Sequence, residues 1–500
     1  MREDRSGWIV LFGWLAACVP STPEGETDEQ GEEASKSESD TGAESDTGAE
    51  LGTQTDSDTD EPEPMPQCEP EAFAHAPAPI EMPDYTLVPI DVLAVEADLE
   101  FDTAAKLALA TASLVFRMGE TSGLPLLDLR QTPTEIWLDG EPLALDRFSI
   151  VDLGGGPETT LRVLEADLPA CSDHELTLHY PLARPLALNS RAVSFFDEPA
   201  GVSFDFDMSD ADANRYLESW LPANLPWDHH SLRLSIHVAA ERAHSVISNG
   251  TIVPIEANTW DIEFPSSTSS ASPMLRIVPS DLIVEDAGEL VTSEGQTIAW
   301  RIAMPGTLWL GPSELADDVR VYLDGLVERG LGPYPWDEIV INIRPDSHGM
   351  EYRAATSTNL QNLEHELAHS WWARGIEPAT GSDGWFDEAF VMYVVEGPLG
   401  GLGEPWNIAL YDPNPFVRKT EATAYVEGRM VFTRIAEVMG HDELMAAMRE
   451  LVEQGVPRSL STPELELHLY CASGEMPEIP EIFANYVYTL GAPELLYGCP

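Results

Sequence analysis

The stretch HELAHSWWARGIEPATGSDGWFDEAF, from His365 to Phe390, decides how this sequence is read. His365 and His369 stand four apart. On a helix that spacing projects both imidazoles from one face, one turn apart, as chelation of a single ion requires. Glu366 lies between them and can reach a water on such an ion without ligating it. The flanks, TSTNLQNLEHELAHSWWA, hold neither Pro nor Gly and predict a helix from about Thr358 to Ala373. A helix surface that carries imidazoles by chance would need nothing more. Here Glu388 follows His369 with eighteen residues between, inside WFDEAFVMYVV, an apolar segment that reads as a second helix able to pack beside the first. Two His and one Glu leave one coordination position open, the arrangement of a catalytic zinc and not of a structural one. One Zn2+ held by His365, His369 and Glu388 is therefore expected.

With that spacing the sequence closely resembles the gluzincin peptidases of the M1 aminopeptidase type, in which HExxH, eighteen residues and a Glu follow in order. The resemblance implies that zinc polarises a scissile carbonyl, while Glu366 takes a proton from the attacking water and returns it to the leaving amine. Upstream, PYPWDEIVINIRPDSHGMEY is similar to the family's Pro-Trp-Asp strand and its Gly-x-Met-Glu-Asn segment. The likeness implies that Glu351 receives a substrate's α-amine and that an edge strand at Gly349 and Met350 hydrogen-bonds the peptide. His348 and Tyr352 stand where the family has Gly and Asn. Downstream, AYVEGRMVFTRIAEVMG resembles the Tyr-x-x-Gly helix, which assigns Tyr425 as donor to a developing oxyanion. In the front half NRYLESWLP is similar to an Arg-Tyr/Trp…Pro stretch of the family's saddle-shaped β-domain, but the glutamine that helps bind the amine is not found there. The likeness runs from about Asp91 to the C-terminus and is strongest from Gly332 to Gly428.

Charge and composition narrow the partners. Asp and Glu number 87 against 26 Lys and Arg, a formal charge of -61, which repels phosphate backbones and argues against nucleic acid. Residues 1–18, MREDRSGWIVLFGWLAAC, combine an Arg-bearing start, an apolar run from Trp8 to Ala17 that is too short to span a bilayer, and Cys18 behind small residues. Leu15-Ala16-Ala17-Cys18 resembles a bacterial lipobox, so Cys18 is the expected lipidation site. An exported protein held to the cell envelope follows, with the outer membrane favoured by Val19 after the cysteine. Residues 19–67 carry sixteen acids and one lysine with the echo ESDTGAESDTGAE. They read as a disordered tether reaching about 40 Å. Cys68, Cys171, Cys471 and Cys499 allow two disulfides in three pairings.

Two folded regions are expected behind the tether. From 68 to 285 the pattern alternates with period two, as in TEIWLDGEPL, TLRVLEADL and SLRLSIHVAA, and turn dipeptides punctuate it, the mark of antiparallel sheet. His174 and His179 lie in one such strand five apart, on opposite faces, and are not read as ligands. His229 and His230 read as a solvated turn. From 286 to 500 come a strand (TIAWRIAM), a helix that Ser313 can cap (SELADDVRVYLDGLVERG), a buried strand (DEIVINIRP) and then helices, one of them beginning near His441. Trp371 and Trp372 read as packing residues. The fold class is α+β: a β-rich, saddle-like front half, then a thermolysin-like, mainly helical catalytic half with a small sheet.

A zinc aminopeptidase acting on peptides is the leading expectation. Only 72 residues follow Gly428, fewer than the family's large closing helical domain needs, so an open-cleft endopeptidase or oligopeptidase is the second reading. A surface-binding lipoprotein on an inactive peptidase fold is the third.

Overall fold

The computed structural model of the chain describes residues 68–154, 156–183, 193–210, 216–346, 348–399, 409–488 and 498–499. Cys18, the acidic tether and Arg215 of NRYLESWLP lie outside the described residues. Those described are mixed α+β, with a curled sheet in the front half.

Alternation builds that front sheet. In the strand Thr86–Asp102, Val95, Ala97, Leu99 and Phe101 point into the core while Glu96, Asp98, Glu100 and Asp102 face out. It pairs antiparallel with Leu107–Met118 and parallel with His230–Ala239, inside a twelve-stranded sheet. A four-stranded sheet, made of Ser194–Asp197, Ala200–Asp205, His244–Ser248 and Leu275–Pro279, adds its apolar face to the same core. His174 and His179 are kept apart as expected: His174 binds Ser172 and packs on Phe116, whereas His179 packs on Trp137. The disulfides are Cys68–Cys171 and Cys471–Cys499.

The back half is built on a five-stranded sheet in the order Ile283–Val291, Thr297–Pro305, Glu338–Ile343, Ala355–Thr358, Met350–Tyr352. Its first strand runs across the expected division after residue 285, because all nine residues pair with Thr297–Pro305. Helix α1 (Pro312–Leu326) crosses between two parallel strands, and α2 (Leu363–Ala368), α3 (Trp385–Glu396), α4 (Glu427–Met439), α5 (His441–Glu453), α6 (Thr462–Ala472) and α7 (Glu478–Ile482) follow. Ser313 does not cap α1. Gly311 holds that position, its N–H donates to the Glu314 carboxylate, and the Ser313 hydroxyl donates to Asp286 instead. Trp371 and Trp372 are fully buried, as packing residues should be. The strand Met350–Tyr352 is the sheet's edge, and its Met350 and Tyr352 pack into the front-half core while α2 and α3 pack into the second.

His229 and His230 are not a solvated turn. His230 is buried at the start of its strand, and His229 Nε2 lies 3.0 Å from Glu377, a carboxylate of the back half. Asp228, next in line, accepts from Val92 N–H and Asn224 Nδ2, both at 2.8 Å. Burial pushes its carboxyl up to about 8, and burial also pushes neighbouring Asp91 up to about 6. A carboxyl whose pKa rises on folding favours the protonated chain. Its contribution is complete below the ordinary value of 3.8 and is lost as pH rises through about 8. Resistance to denaturant is accordingly expected to fall between about pH 4 and about pH 8, and Asp228→Asn should flatten that slope in urea titrations.

Candidate metal and catalytic site

The helix that carries the two histidines is shorter than its Pro-free flanks predict. Thr356, Ser357 and Thr358 pair with Ile341, Asn342 and Ile343 as a buried strand, since β-branched side chains suit a pleated surface. The Asn359 side chain then accepts from the N–H groups of Gln361 and Asn362, which turns the chain into α2 at Leu363. At the other end Ser370 and Trp371 make tight bonds to the carbonyls three residues back, and Ala373 takes φ 90. Only about two turns remain, and they are the two that matter.

Those turns place His365 Nε2 and His369 Nε2 3.2 Å apart, with Glu388 Oε2 3.3 and 3.5 Å from them. The three donor atoms lie within 4.8 Å of one another. His369 Nδ1 is 3.1 Å from the Trp372 carbonyl, so that nitrogen carries a proton and Nε2 faces the other two donors. Burial pushes the Glu388 carboxyl up, but His369 and His365 outweigh it and hold the group down to about 2, as a carboxylate. Two imidazole nitrogens and a carboxylate, converging with this spacing, fit a zinc ion.

Glu388 is delivered by α3, which is buried nearly all round and packs on both α2 and α4. The approach of α4 depends on Gly428: a Cβ there would stand 2.5 Å from the Ala389 Cβ. The Tyr-x-x-Gly spacing is thus a packing requirement, and it brings Tyr425, one turn earlier, onto the site. The Tyr425 hydroxyl donates to Glu388 Oε1, and its ring stacks on His365 with centroids 6.4 Å apart. Burial and the Glu388 charge push the phenol well above its ordinary value, so it stays a donor.

Gly349 has a similar explanation. A Cβ at that position would lie 2.1 Å from Glu366 Oε1, so the backbone of the HGMEY segment and the Glu366 carboxylate come together only because no side chain intervenes. Burial, then the charge of Glu351, push the Glu366 carboxyl well above the carboxylate range. His348, where the resemblance has Gly, reaches the Met208 carbonyl at 3.0 Å and ties this segment to the front half. Tyr352 is buried in the front-half core.

All these groups line one cleft of ≈ 480 Å3. Every sequence-predicted member within the described residues is brought into it: His365, Glu366, Glu388, Gly349, Met350, Glu351 and Tyr425 line it, and His369 stands directly behind. Two neighbours were missed. Arg374 ion-pairs with Glu351 at 2.8 Å, and Asp210, from the front half, lies 3.8 Å from the same guanidinium. Arg374 is the single Lys or Arg between His365 and Phe390, in a stretch with five acids, and that isolation was its legible signal. Asp210 carried none: it precedes NRYLESWLP, where only a glutamine was sought.

No protein-family model matches the chain. Among curated proteins, leucine aminopeptidase 2 of Chaetomium globosum is 26% identical over 172 residues, 32% of this chain and 27% of that protein. Human aminopeptidase B is 25% identical over 167 residues, 29% and 24% of the two chains. These alignments span about a quarter of each relative. Of solved structures, an M1 zinc metallopeptidase from Deinococcus radiodurans superposes with a TM-score of 0.56 at 18% identity, covering 82% of this chain and 97% of that one. Leukotriene A4 hydrolase from Saccharomyces cerevisiae gives 0.57 at 15% identity, covering 81% and 69%.

Three substitutions test the geometry. Gly428→Ala is expected to cost about 1–3 kcal/mol of unfolding free energy through the clash with Ala389, measured by denaturant titration. His369→Ala should abolish stoichiometric zinc in dialysed protein while Gly349→Ala retains it, read by elemental analysis.

Proposed function

From a chain that has the fold of the M1 zinc metallopeptidases, we propose a zinc-dependent aminopeptidase that hydrolyses the N-terminal residue of peptides. The observation that carries this reading is the convergence of His365 Nε2, His369 Nε2 and Glu388 within 4.8 Å, beside a buried Glu366 and a phenol donor. The back half is accordingly read as the thermolysin-like catalytic part, and the region before about residue 286 as the β-rich domain that closes one wall of its cleft. A Deinococcus radiodurans relative of nearly the same extent was solved with a Tyr-Ser-Ala substrate, which supports a short peptide as the ligand class.

When bound, zinc supplies Lewis-acid polarisation of the carbonyl and acidifies the attacking water. The remaining steps belong to the chain. The peptide lies against the free edge of the strand Met350–Tyr352, whose other edge is already paired with Ala355–Thr358. Glu366 takes the proton from the attacking water and later hands it to the departing amine, so the proton is conserved through the cycle. Tyr425 turns its hydroxyl from Glu388 to the oxyanion, where its charge stabilisation is realised only in the transition state. Glu351 is the middle residue of the edge strand, and its carboxylate is the group that would meet an N-terminal ammonium.

Export and lipidation at Cys18 complete the proposal, with the acidic tether of residues 19–67 holding the enzyme off the membrane surface. The LAAC sequence supports it. The mass of the mature N-terminal peptide should show a diacylglyceryl cysteine, and Cys18→Ala should release the protein from membranes.

Glu366→Gln is expected to lower kcat/KM on a free aminoacyl fluorogenic substrate by about 10²–10⁴-fold while zinc content stays at one per chain. Tyr425→Phe should lower kcat by about 10²–10³-fold with little change in KM. Unchanged hydrolysis by the Glu366 variant, or no zinc in the native protein, would overturn the reading.

A further inference from the structure

We infer that a second cleft, at the turn between the strands Met350–Tyr352 and Ala355–Thr358, binds the zwitterionic main chain of a free α-amino acid between Arg353 and Asp337. The site is separate from the zinc cleft, and its occupancy does not depend on what that cleft hydrolyses.

The second cleft measures ≈ 570 Å3, within the range of about 300–1,000 Å3 usual for small-molecule sites. Gly349 and Met350, at one end of the edge hairpin, line the zinc cleft. Arg353 and Ala354, in the turn at its other end, line this one, and no residue lines both. Ser231, Thr251, Ser266 and Thr268 of the front half form the facing wall, and Trp336 and Asp337 stand just before the strand Glu338–Ile343.

Arg353 is held in place without an acid. Its Nη1 donates to the Ser267 carbonyl at 3.3 Å and to the Ser267 hydroxyl, and its guanidinium carbon stands 4.8 Å from the centroid of the Trp336 ring. Its backbone is tied on both sides: the N–H donates to the Ser272 carbonyl at 3.2 Å, and the carbonyl accepts from Asn249 Nδ2 at 2.7 Å. Trp336 is fixed in turn, with Nε1 donating to the Ser370 carbonyl at 3.1 Å. Among the described residues no carboxylate ion-pairs with Arg353, although the chain has 87 acids to 26 bases. Glu377, whose charge it feels, is taken by His229 and Ser272.

The acids lining the cleft narrow the ligand. Glu263 pairs with Arg233 at 3.0 Å and Glu338 with Arg301 at 3.6 Å, but the Asp337 carboxylate has no partner among the described residues. One unengaged cation and one unengaged anion remain, and they do not pair with each other. A simple anion would gain Arg353 but face the acids around it, and a simple cation would face the guanidinium. A zwitterion satisfies both: its carboxylate takes the guanidinium fork, and its ammonium takes Asp337. Free amino acids are also what the proposed hydrolysis releases, so the site would report product.

The test is equilibrium dialysis of the zinc-loaded full chain against radiolabelled L-serine, L-leucine, L-phenylalanine and L-arginine in turn, with the zinc cleft filled by a phosphinic pseudopeptide. At least one of them should stay bound at one equivalent per chain, and Arg353→Gln should weaken that binding about tenfold or more. The N-acetyl and carboxamide forms of the same amino acid, each lacking one charge, should bind the native chain more weakly by a similar factor. Asp337 is exposed, so Asp337→Asn should keep the fold while erasing the difference between the free and N-acetyl forms. No bound equivalent with any of the four, binding unchanged in both variants, or an N-acetyl form that binds as tightly as the free one overturns the inference. Peptide hydrolysis that persists beside such a result leaves the aminopeptidase reading standing. A chain that hydrolyses no peptide yet keeps the Arg353-dependent equivalent overturns that reading alone.

Discussion

Three donor atoms within 4.8 Å of one another, drawn from α2, its C-cap His369 and α3, two helices with sixteen residues between them, form the constraint on which the back half depends. Helices α2 and α3 must lie side by side at van der Waals distance, and the chain between them must fold back rather than continue the first helix. It does so through tight turns after Leu367, a left-handed Ala373 and a short strand, Ile376–Pro378, paired with Arg458–Leu460. The apolar residues that make α3 buried nearly all round are a consequence. With α2 on one side and α4 on another, a helix with a single apolar stripe would leave polar groups unpaired in the core.

Charge is the second constraint. Asp210, Glu351, Glu366, Asp387 and Glu388 are all buried around one cleft, and burying carboxylates is tolerated only where cations or protons offset them. Arg374 offsets the end nearest Glu351, and the two histidines offset Glu388. Burial together with the neighbouring acids pushes Glu366 and Asp387 well above the carboxylate range. The contrast between Glu388, held low, and Glu366, pushed up, arises from which charges each acid faces rather than from any difference in residue type.

What could be read from the sequence followed how local each signal was. The i, i+4 histidines, the Glu388 helix and the alternation of Thr86–Asp102 are set by neighbours in the chain, and they stand where that periodicity puts them. The extent of α2 was misjudged because the absence of Pro and Gly does not make a helix: Thr356 to Thr358 had a parallel partner in Ile341 to Ile343 that no local pattern reveals. Ser313 lost its capping role to a glycine and a glutamate, and His229 is drawn out of a solvated turn by Glu377, 148 residues away, while His230 is buried in its strand. Asp210 was invisible for the same reason, since its partner Arg374 is distant in sequence, whereas Arg374 stood out only as the lone base of its acidic stretch.

The front half is therefore more than a support. Met350 and Tyr352 of the edge strand pack into its core, His348 bonds to its Met208 carbonyl, and Asp210 and Tyr216 come from it. The candidate metal-binding set His365, His369 and Glu388, by contrast, belongs wholly to the back half. The two sets of side chains are anchored in different cores, the edge strand in the front-half core and the helices α2 and α3 in the other, and the Glu351–Arg374 pair stands between them because the edge strand belongs to the back-half sheet while its side chains pack forward.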